Sequence, residues 1–239
     1  MNLILIDEKD FDDSGRVSLR GRRLRHVQEV HRAQPGDRLR VGLLYGKLGT
    51  GRVLELDSGR LRLEVELSQE PPDALPLRLV LALPRPPSLR KVLQQATALG
   101  VKDFVLLHTR RVEKSYWSSR TLEPAALRRE LVLGLEQAVD TRLPRVELRR
   151  RFKPFVEDEL PALLQHSTGV VADPSGTDAL PSGSPEPITL IIGPEGGFIP
   201  FELETLAAQG TRCVSLGERI LRVETAVVAL LARLAGVAS

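Results

Sequence analysis

Two short apolar runs near the carboxyl terminus, each ending in a glycine-bearing turn, restrict what this chain can fold into more than any other feature. Ile188-Thr189-Leu190-Ile191-Ile192 leads into Gly193-Pro194-Glu195-Gly196-Gly197-Phe198, and Cys213-Val214-Ser215-Leu216 leads into Gly217-Glu218-Arg219-Ile220-Leu221-Arg222-Val223-Glu224-Thr225-Ala226. Runs this short, rich in β-branched or leucyl residues and bounded by glycine, read as strands buried on both faces of a parallel sheet. The two strand ends are expected side by side at one edge of that sheet, with an apolar helix closing the chain. Ligands in open α/β sheets bind beyond the carboxyl ends of strands, where glycine lets the backbone approach closely. The crevice between the two turns is therefore the candidate site.

The chain before this pair divides in two. Residues 3–6, 16–19, 37–41, 51–56 and 61–67 are short, partly alternating segments separated by Gly, Asp and Ser turns, the spacing of a compact β-barrel. Residues 21–30 read as a helix with Leu24, Val27 and Val30 inward, and Asp57-Ser58-Gly59-Arg60 as a hairpin turn. Gly49-Thr50-Gly51 and the stretch Gly42 to Lys47 resemble nucleotide-binding loops but lack the third glycine and the Ser/Thr respectively, and read as turns. A polar, proline-rich linker at 71–76 separates domain 1–70 from domain 77–239. In the latter, strands at 77–83, 103–107, near Val146 and at 168–172 alternate with helices at 88–99, 123–140 and 155–165, which implies helices on the faces of a parallel sheet. Residues 173–187, including Ser182-Gly183-Ser184-Pro185, read as a loop.

Composition removes several classes of function. The single cysteine, Cys213, falls in a strand expected to be buried and suits packing rather than nucleophilic attack. His26 and His31 are five apart, off the spacing that puts two imidazoles on one helical face, and no metal site is expected. No G-x-S-x-G elbow occurs. The amino terminus lacks a basic lead and a long apolar run, so neither a signal peptide nor a membrane span is expected, and a cytoplasmic protein is the default. The net charge is +3, yet eight arginines lie between Arg16 and Arg40 against only Glu29 and Asp37, and Arg142, Arg145, Arg149, Arg150, Arg151 and Lys153 oppose Glu147 alone. Such clusters suit either a polyanion footprint or a solvated arginine-rich surface.

The paired motif at 193–198 and 216–226 closely resembles that of the knotted SPOUT-superfamily RNA methyltransferases, and most of all the RsmE family, which methylates N3 of a uridine in small-subunit (16S) ribosomal RNA, uridine 1498 in the family. Gln95-Ala96-Thr97-Ala98-Leu99-Gly100-Val101 and Glu136-Gln137 with Arg142 and Pro144 resemble further landmarks of that family, and the amino-terminal segment with His26 and Arg38 fits its PUA-like RNA-binding domain. The resemblance implies an α/β fold: a SPOUT-type parallel sheet whose chain near 165–239 forms a deep trefoil knot, plus a small PUA-like β-barrel. It also implies a homodimer through the knotted domain, in which the apolar terminal helix takes part, and no membrane. S-adenosyl-L-methionine would lie in the crevice, against Gly193, Glu195, Gly196 and Gly197 of one turn and Leu216, Gly217, Ile220 and Leu221 of the other.

On that resemblance the chemistry is electrostatic. Arg222 would stabilise charge on the uracil edge or clamp a phosphate, Glu224 would orient it, accept the proton or cap its helix, and Thr225 would hydrogen-bond nearby. Arg20, Arg22, Arg23, Arg25 and Arg38, with Arg110, Arg111 and Lys114, would meet RNA phosphates. Aromatic residues form 4% of the chain, so backbone contacts should outweigh base stacking. The alternatives are a non-catalytic ribosomal RNA-binding assembly factor on the same fold, and an α/β nucleotide-binding enzyme, which the two failed loop motifs disfavour.

Overall fold

A computed structural model of the chain describes residues 2–181 and 186–234. The turn expected at Ser182-Gly183-Ser184-Pro185 and the chain end beyond Leu234 lie outside the described residues. Two compact units form. One comprises Met1–Asp73 with Leu131–Leu143, the other Ala74–Glu130 with Pro144–Ser239. The sequence had placed all of 77–239 in a single domain, so the assignment of 131–143 to the first unit differs from that expectation.

In the first unit, strands β1 (Ile4–Ile6), β2 (Val17–Leu19), β3 (Arg38–Leu43), β4 (Leu48–Leu56) and β5 (Leu61–Gln69) form one sheet in the order β1-β3-β4-β5-β2. Only β1 and β3 are parallel. Two register shifts in the β4–β5 ladder bend the sheet into a curled half-barrel, as bulges do. Gly49 and Gly51 lie inside β4 and not in a turn, because the strand there passes so close to the backbone of Glu66 that a Cβ on Gly49 would overlap its carbonyl. The core on the concave face contains Ile4, Ile6, Val17, Leu19, Leu24, Val27, Val41, Val53, Leu61 and Leu63. Leu24 lies on helix α1 (Gly21–His26) and Val27 on the π-helical turn (Val27–His31) that continues it. The π-turn moves Val30 out of register, so that it is 63% exposed instead of inward.

A second apolar cluster in this unit joins Leu3, Leu5 and Leu48 to Val132 and Leu135. The latter two sit in the last turns of helix α3 (Pro124–Ala138), which ends where Val139 turns to φ 59°, short of the expected Asp140. Beside this cluster the buried Glu136 carboxylate accepts two parallel bonds from Arg22, at 2.8 and 2.7 Å, and its carbonyl accepts from the backbone N–H groups of Asn2 and Leu3.

The second unit carries a six-stranded, wholly parallel sheet of β6 (Leu77–Ala82), β7 (Asp103–Leu107), β8 (Arg145–Arg149), β9 (Thr168–Ala172), β10 (Ile188–Ile192) and β11 (Arg212–Val214), ordered β11-β9-β10-β6-β7-β8. All five residues of β10 are buried, as its unbroken apolar run requires. One face packs on Phe155, Val156 and Leu160 from the segment formed by α4 (Phe152–Pro154), a π-helical stretch (Phe155–Glu159) and α5 (Leu160–Leu164), and on Leu206 of α6 (Pro200–Ala207). Helix α2 (Pro86–Ala98) buries Leu89, Val92, Leu93 and Ala96, and helix α7 (Val223–Leu234) buries Val223, Val227, Leu230 and Leu231. Truncating one such side chain to alanine costs about 2–5 kcal/mol. No helix among the described residues is long and apolar enough to cross a membrane.

The amino ends of β6, β7 and β8 are tied by Asp103, whose carboxylate accepts from Arg78 at 2.6 Å and from Arg145 at 3.0 and 2.9 Å. Burial pushes the Asp103 carboxyl up, but Arg145 and Arg78 together outweigh it and hold the group below its ordinary value. A depressed folded-state pKa means stability that is present above the unfolded value, near 4, and lost as pH falls through the folded one. Acid titration of unfolding should therefore show stability declining below about pH 4, and Asp103→Asn should flatten part of that decline.

Candidate functional site

The carboxyl ends of three strands end at one level. Ile192 of β10 pairs with Ala172 of β9, and Ala172 with Val214 of β11. The expected adjacency of β10 and β11 is corrected here, since β9 runs between them and contributes its own turn, Asp173-Pro174. Each strand releases its chain into a loop at the same edge, and the loops enclose a cavity of about 680 Å³ counted out to its open mouth. Ala172, Asp173 and Pro174 line it from β9, Ile192, Gly193, Pro194, Glu195 and Gly197 from β10, and Val214, Ser215, Leu216, Gly217, Arg219, Ile220 and Leu221 from β11. Val223, Ala226 and Leu230 of α7 complete the wall.

Glycine is needed here for identifiable reasons. A Cβ on Gly193 would press on the buried Phe198 ring at 3.2 Å, and Gly197 and Gly217 hold φ of 71° and 111°, values that favour glycine. The loop at 193–198 is held from two sides. The Glu195 carboxylate accepts from the backbone N–H of Arg85 at 3.0 Å and pairs with its guanidinium at 3.6 Å. Arg111 donates to the carbonyls of Gly196 and Phe198 and lays its stem over Gly196. Behind the loop, buried Glu202 caps α6 by accepting from Ile199 N–H at 3.0 Å and fixes the β7 loop by accepting from Arg110 N–H at 2.7 Å. The second turn is shaped by Ser215, whose hydroxyl accepts from Gly217 N–H at 3.1 Å.

Of the expected ligand-contacting residues, Gly193, Glu195, Gly197, Leu216, Gly217, Ile220 and Leu221 line the cavity. Gly196 does not, because it lies beneath Arg111. Ile220 is 88% exposed and Leu221 39% exposed at the cavity mouth. Arg222 and Thr225 are exposed at the start of α7, where the Arg222 carbonyl accepts from Thr225 and Ala226 N–H. Glu224 is buried and turned to α2, 3.4 Å from Lys91. Its own backbone N–H lowers its pKa most, burial opposes that, and Ser88 and Lys91 add to the lowering. A carboxylate held down in this way is a poor proton acceptor, so the helix-capping role expected as its alternative is the one the geometry favours.

The arginines expected to meet RNA separate into two groups. Arg20, Arg25, Arg38, Arg110 and Lys114 are exposed. Arg22 is engaged by Glu136, and Arg23 by Asp10 at 2.5 and 2.7 Å and by the Leu5 carbonyl. Arg111 holds the glycine loop, so each of these three also ties parts of the fold together. Cys213 is half-buried in an edge strand, where a buried strand was expected. Burial, Asp173 and Asp178 push its thiol pKa up, which argues against a nucleophilic thiolate. The sequence missed Asp173, Pro174, Ser215, Arg85 and α6. The first two could have been found, because the apolar run 168–172 ends in a turn just as the two runs singled out do.

Comparison with known proteins gives the same picture. Residues 71–235 match the RNA methyltransferase domain family. The ribosomal RNA small subunit methyltransferase E of Treponema pallidum is 28% identical over 232 residues, covering 95% of this chain and 87% of that one. Its counterpart from Synechocystis is 32% identical over 222 residues, covering 91% and 72%. The crystal structure of the ribosomal RNA small subunit methyltransferase E from Neisseria gonorrhoeae bound to S-adenosyl methionine shares the fold with a TM-score of 0.72 at 22% identity, covering 97% of this chain and 95% of that one.

Proposed function

Since the chain belongs to the ribosomal RNA small subunit methyltransferase E family of RNA methyltransferases, we propose that it moves a methyl group from S-adenosylmethionine to N3 of a uridine in small-subunit ribosomal RNA, the family's uridine 1498. The observation that carries this is the glycine-built cavity at three aligned strand ends. The residues present suit the donor. Leu216, Ile220, Leu221 and Pro194 offer an apolar wall for a purine, the bare backbone at Gly193, Gly197 and Gly217 offers hydrogen-bonding groups, and Asp173 offers a carboxylate to a cation. Bound there, the donor supplies an electrophilic methyl group.

The protein's part is positioning and electrostatics. Arg222 follows directly on the cavity wall at Leu221, and its guanidinium can fork onto the uracil edge and stabilise the negative charge left when the N3 proton departs to solvent. Thr225, one helical turn on, can hydrogen-bond to the same edge, while Glu224 holds α7 against α2. The target base must be unstacked to reach this position. The curled sheet of the first unit serves as a PUA-like RNA-binding domain on this reading, with Arg20, Arg25 and Arg38 meeting phosphates, and Arg110 and Lys114 doing so in the second unit.

Two further features accompany the proposal. The first is a trefoil knot within 165–239. It is supported by the β10–β11 connection, which steps past β9, and by the 173–178 segment, which runs beside β11 with Gly176 against the Val214 backbone, a parallel bridge between Asp178 and Val214, and the Asp178 carboxylate accepting from Cys213 N–H at 2.7 Å. The second is a homodimer through this unit, supported by the exposed apolar Ile220 and Leu221, in a cytoplasmic setting where ribosomal RNA is found.

The deciding experiment incubates the purified protein and labelled S-adenosylmethionine with small subunits from cells that lack the protein, and maps the label by mass spectrometry. 3-Methyluridine at one position is expected, and RNA bound but unlabelled would indicate the assembly-factor alternative. Among the RNA contacts, Arg20→Ala, Arg25→Ala and Arg38→Ala should each lower the salt slope of RNA binding by about 1. Arg23→Ala should instead lower the melting temperature and leave that slope unchanged.

A further inference from the structure

Three ionisable side chains line the cavity: Asp173, Glu195 and Arg219. Glu195 is neutralised by Arg85. Asp173 has no ion-pair partner among the described residues. One of its oxygens, Oδ1, accepts from the Ser175 N–H at 3.0 Å and the Ser175 hydroxyl at 2.7 Å, which fixes the rotamer. Its backbone is fixed as well, with its N–H donating to Val214 at 3.1 Å and its carbonyl accepting from Gly176 at 3.0 Å. The other oxygen, Oδ2, accepts no hydrogen bond among the described residues and lies 3.9 Å from where a Cβ of Gly197 would stand. The missing side chain at Gly197 thus leaves open space between a rigidly held carboxylate oxygen with no ion-pair partner and Arg111 Nη1, each 3.9 Å from the absent Cβ, and the neighbouring Cys213 thiol is pushed up by burial first and by Asp173 and Asp178 after it.

The geometry points to Asp173 as the residue that distinguishes the cationic methyl donor from its neutral thioether product, by placing Oδ2 beside the sulfonium. This rests on the donor site proposed above and adds a function to one residue of it. The two ligands share an adenosine, an ammonium and a carboxylate and differ in the charge at sulfur. A carboxylate that faces that sulfur favours the donor and helps the product to leave. The stabilised charge is present in the bound donor and partly dispersed in the transition state, so losing the carboxylate weakens donor binding and does not slow the bound complex.

The test is calorimetric titration of the intact wild-type protein and of Asp173→Asn with S-adenosylmethionine, S-adenosylhomocysteine and an analogue in which a protonated amine replaces the sulfonium. Asparagine preserves the turn through its side-chain carbonyl. One opposite charge in a half-open cavity is worth about tenfold in binding. Donor and amine analogue should weaken by about that factor in Asp173→Asn while the thioether changes by less than about twofold, with KM for the donor rising and kcat nearly unchanged. Equal weakening of all three ligands, or no change in any, would overturn the assignment and leave the donor site standing. A wild-type protein that binds none of them would overturn both.

Discussion

Gly197→Val should raise the dissociation constant for S-adenosylmethionine at least about a hundredfold, because a β-branched residue is a true outlier at positive φ. Gly197 sits at φ 71°, and a side chain there would enter the space between Asp173 Oδ2 and Arg111 Nη1, each 3.9 Å from the added Cβ. Relief of the strain would move the loop away from the cavity, and its persistence would leave the valine inside it. A control separates strain from occlusion. Gly210, in the turn before β11, has φ 81° with nothing within 4 Å of an added Cβ, and it does not line the cavity. Gly210→Ala should cost about 1 kcal/mol of stability and leave donor affinity unchanged. Titration calorimetry with a thermal melt of each variant makes the comparison.

A large stability effect is also expected at Arg22, outside the apolar core. Its guanidinium is 44% exposed while the Glu136 carboxylate it pairs with is 1% exposed. Removing one partner of a fully buried pair costs about 3–5 kcal/mol, and the partial exposure of Arg22 reduces this to about 2–3 kcal/mol for Arg22→Ala. What is lost is chiefly the compensation of a buried carboxylate charge. Arg22→Met combined with Glu136→Leu should recover most of the loss, since a packed apolar pair often matches a buried ion pair. Urea unfolding of the single and double variants measures both quantities. A loss from Arg22→Ala below about 0.5 kcal/mol would place the pair with ordinary surface bridges.

The second unit was largely legible in the sequence for a physical reason. Strands β7, β9 and β10 lie inside the sheet, and their apolar runs are closed off by His108, Asp173 and Gly193, so residues 103–107, 168–172 and 188–192 were read at their true ends. Strand β11 is an edge strand, exposed at Arg212, and proved shorter than its run. Helix α6 was missed because it begins with Pro200 and is only eight residues long, too short for a helical period to register. What could not be read was which elements become neighbours. Strand β9 intervening between β10 and β11 is a fact of topology that no local run of residues reveals.

Arginines show the same limit. A sequence shows charge but not its partner, so Arg22 and Arg23, drawn as RNA contacts, turned out to be engaged by Glu136 and Asp10 more than ten residues away in the chain. Glu136 in this chain holds Arg22 through its carboxylate and the amino-terminal backbone through its carbonyl. Arg111 follows the same pattern, since the carbonyls of Gly196 and Phe198 that it caps are 85 and 87 residues distant.

Diffraction from crystals of this protein soaked with S-adenosylmethionine tests the central claim most directly. The account requires density for the donor between the 193–197 and 216–221 turns, with its base against Leu216, Ile220 and Leu221 and its sulfur near Asp173 Oδ2. Density for the donor at any other place, with this cavity filled by solvent, would contradict it.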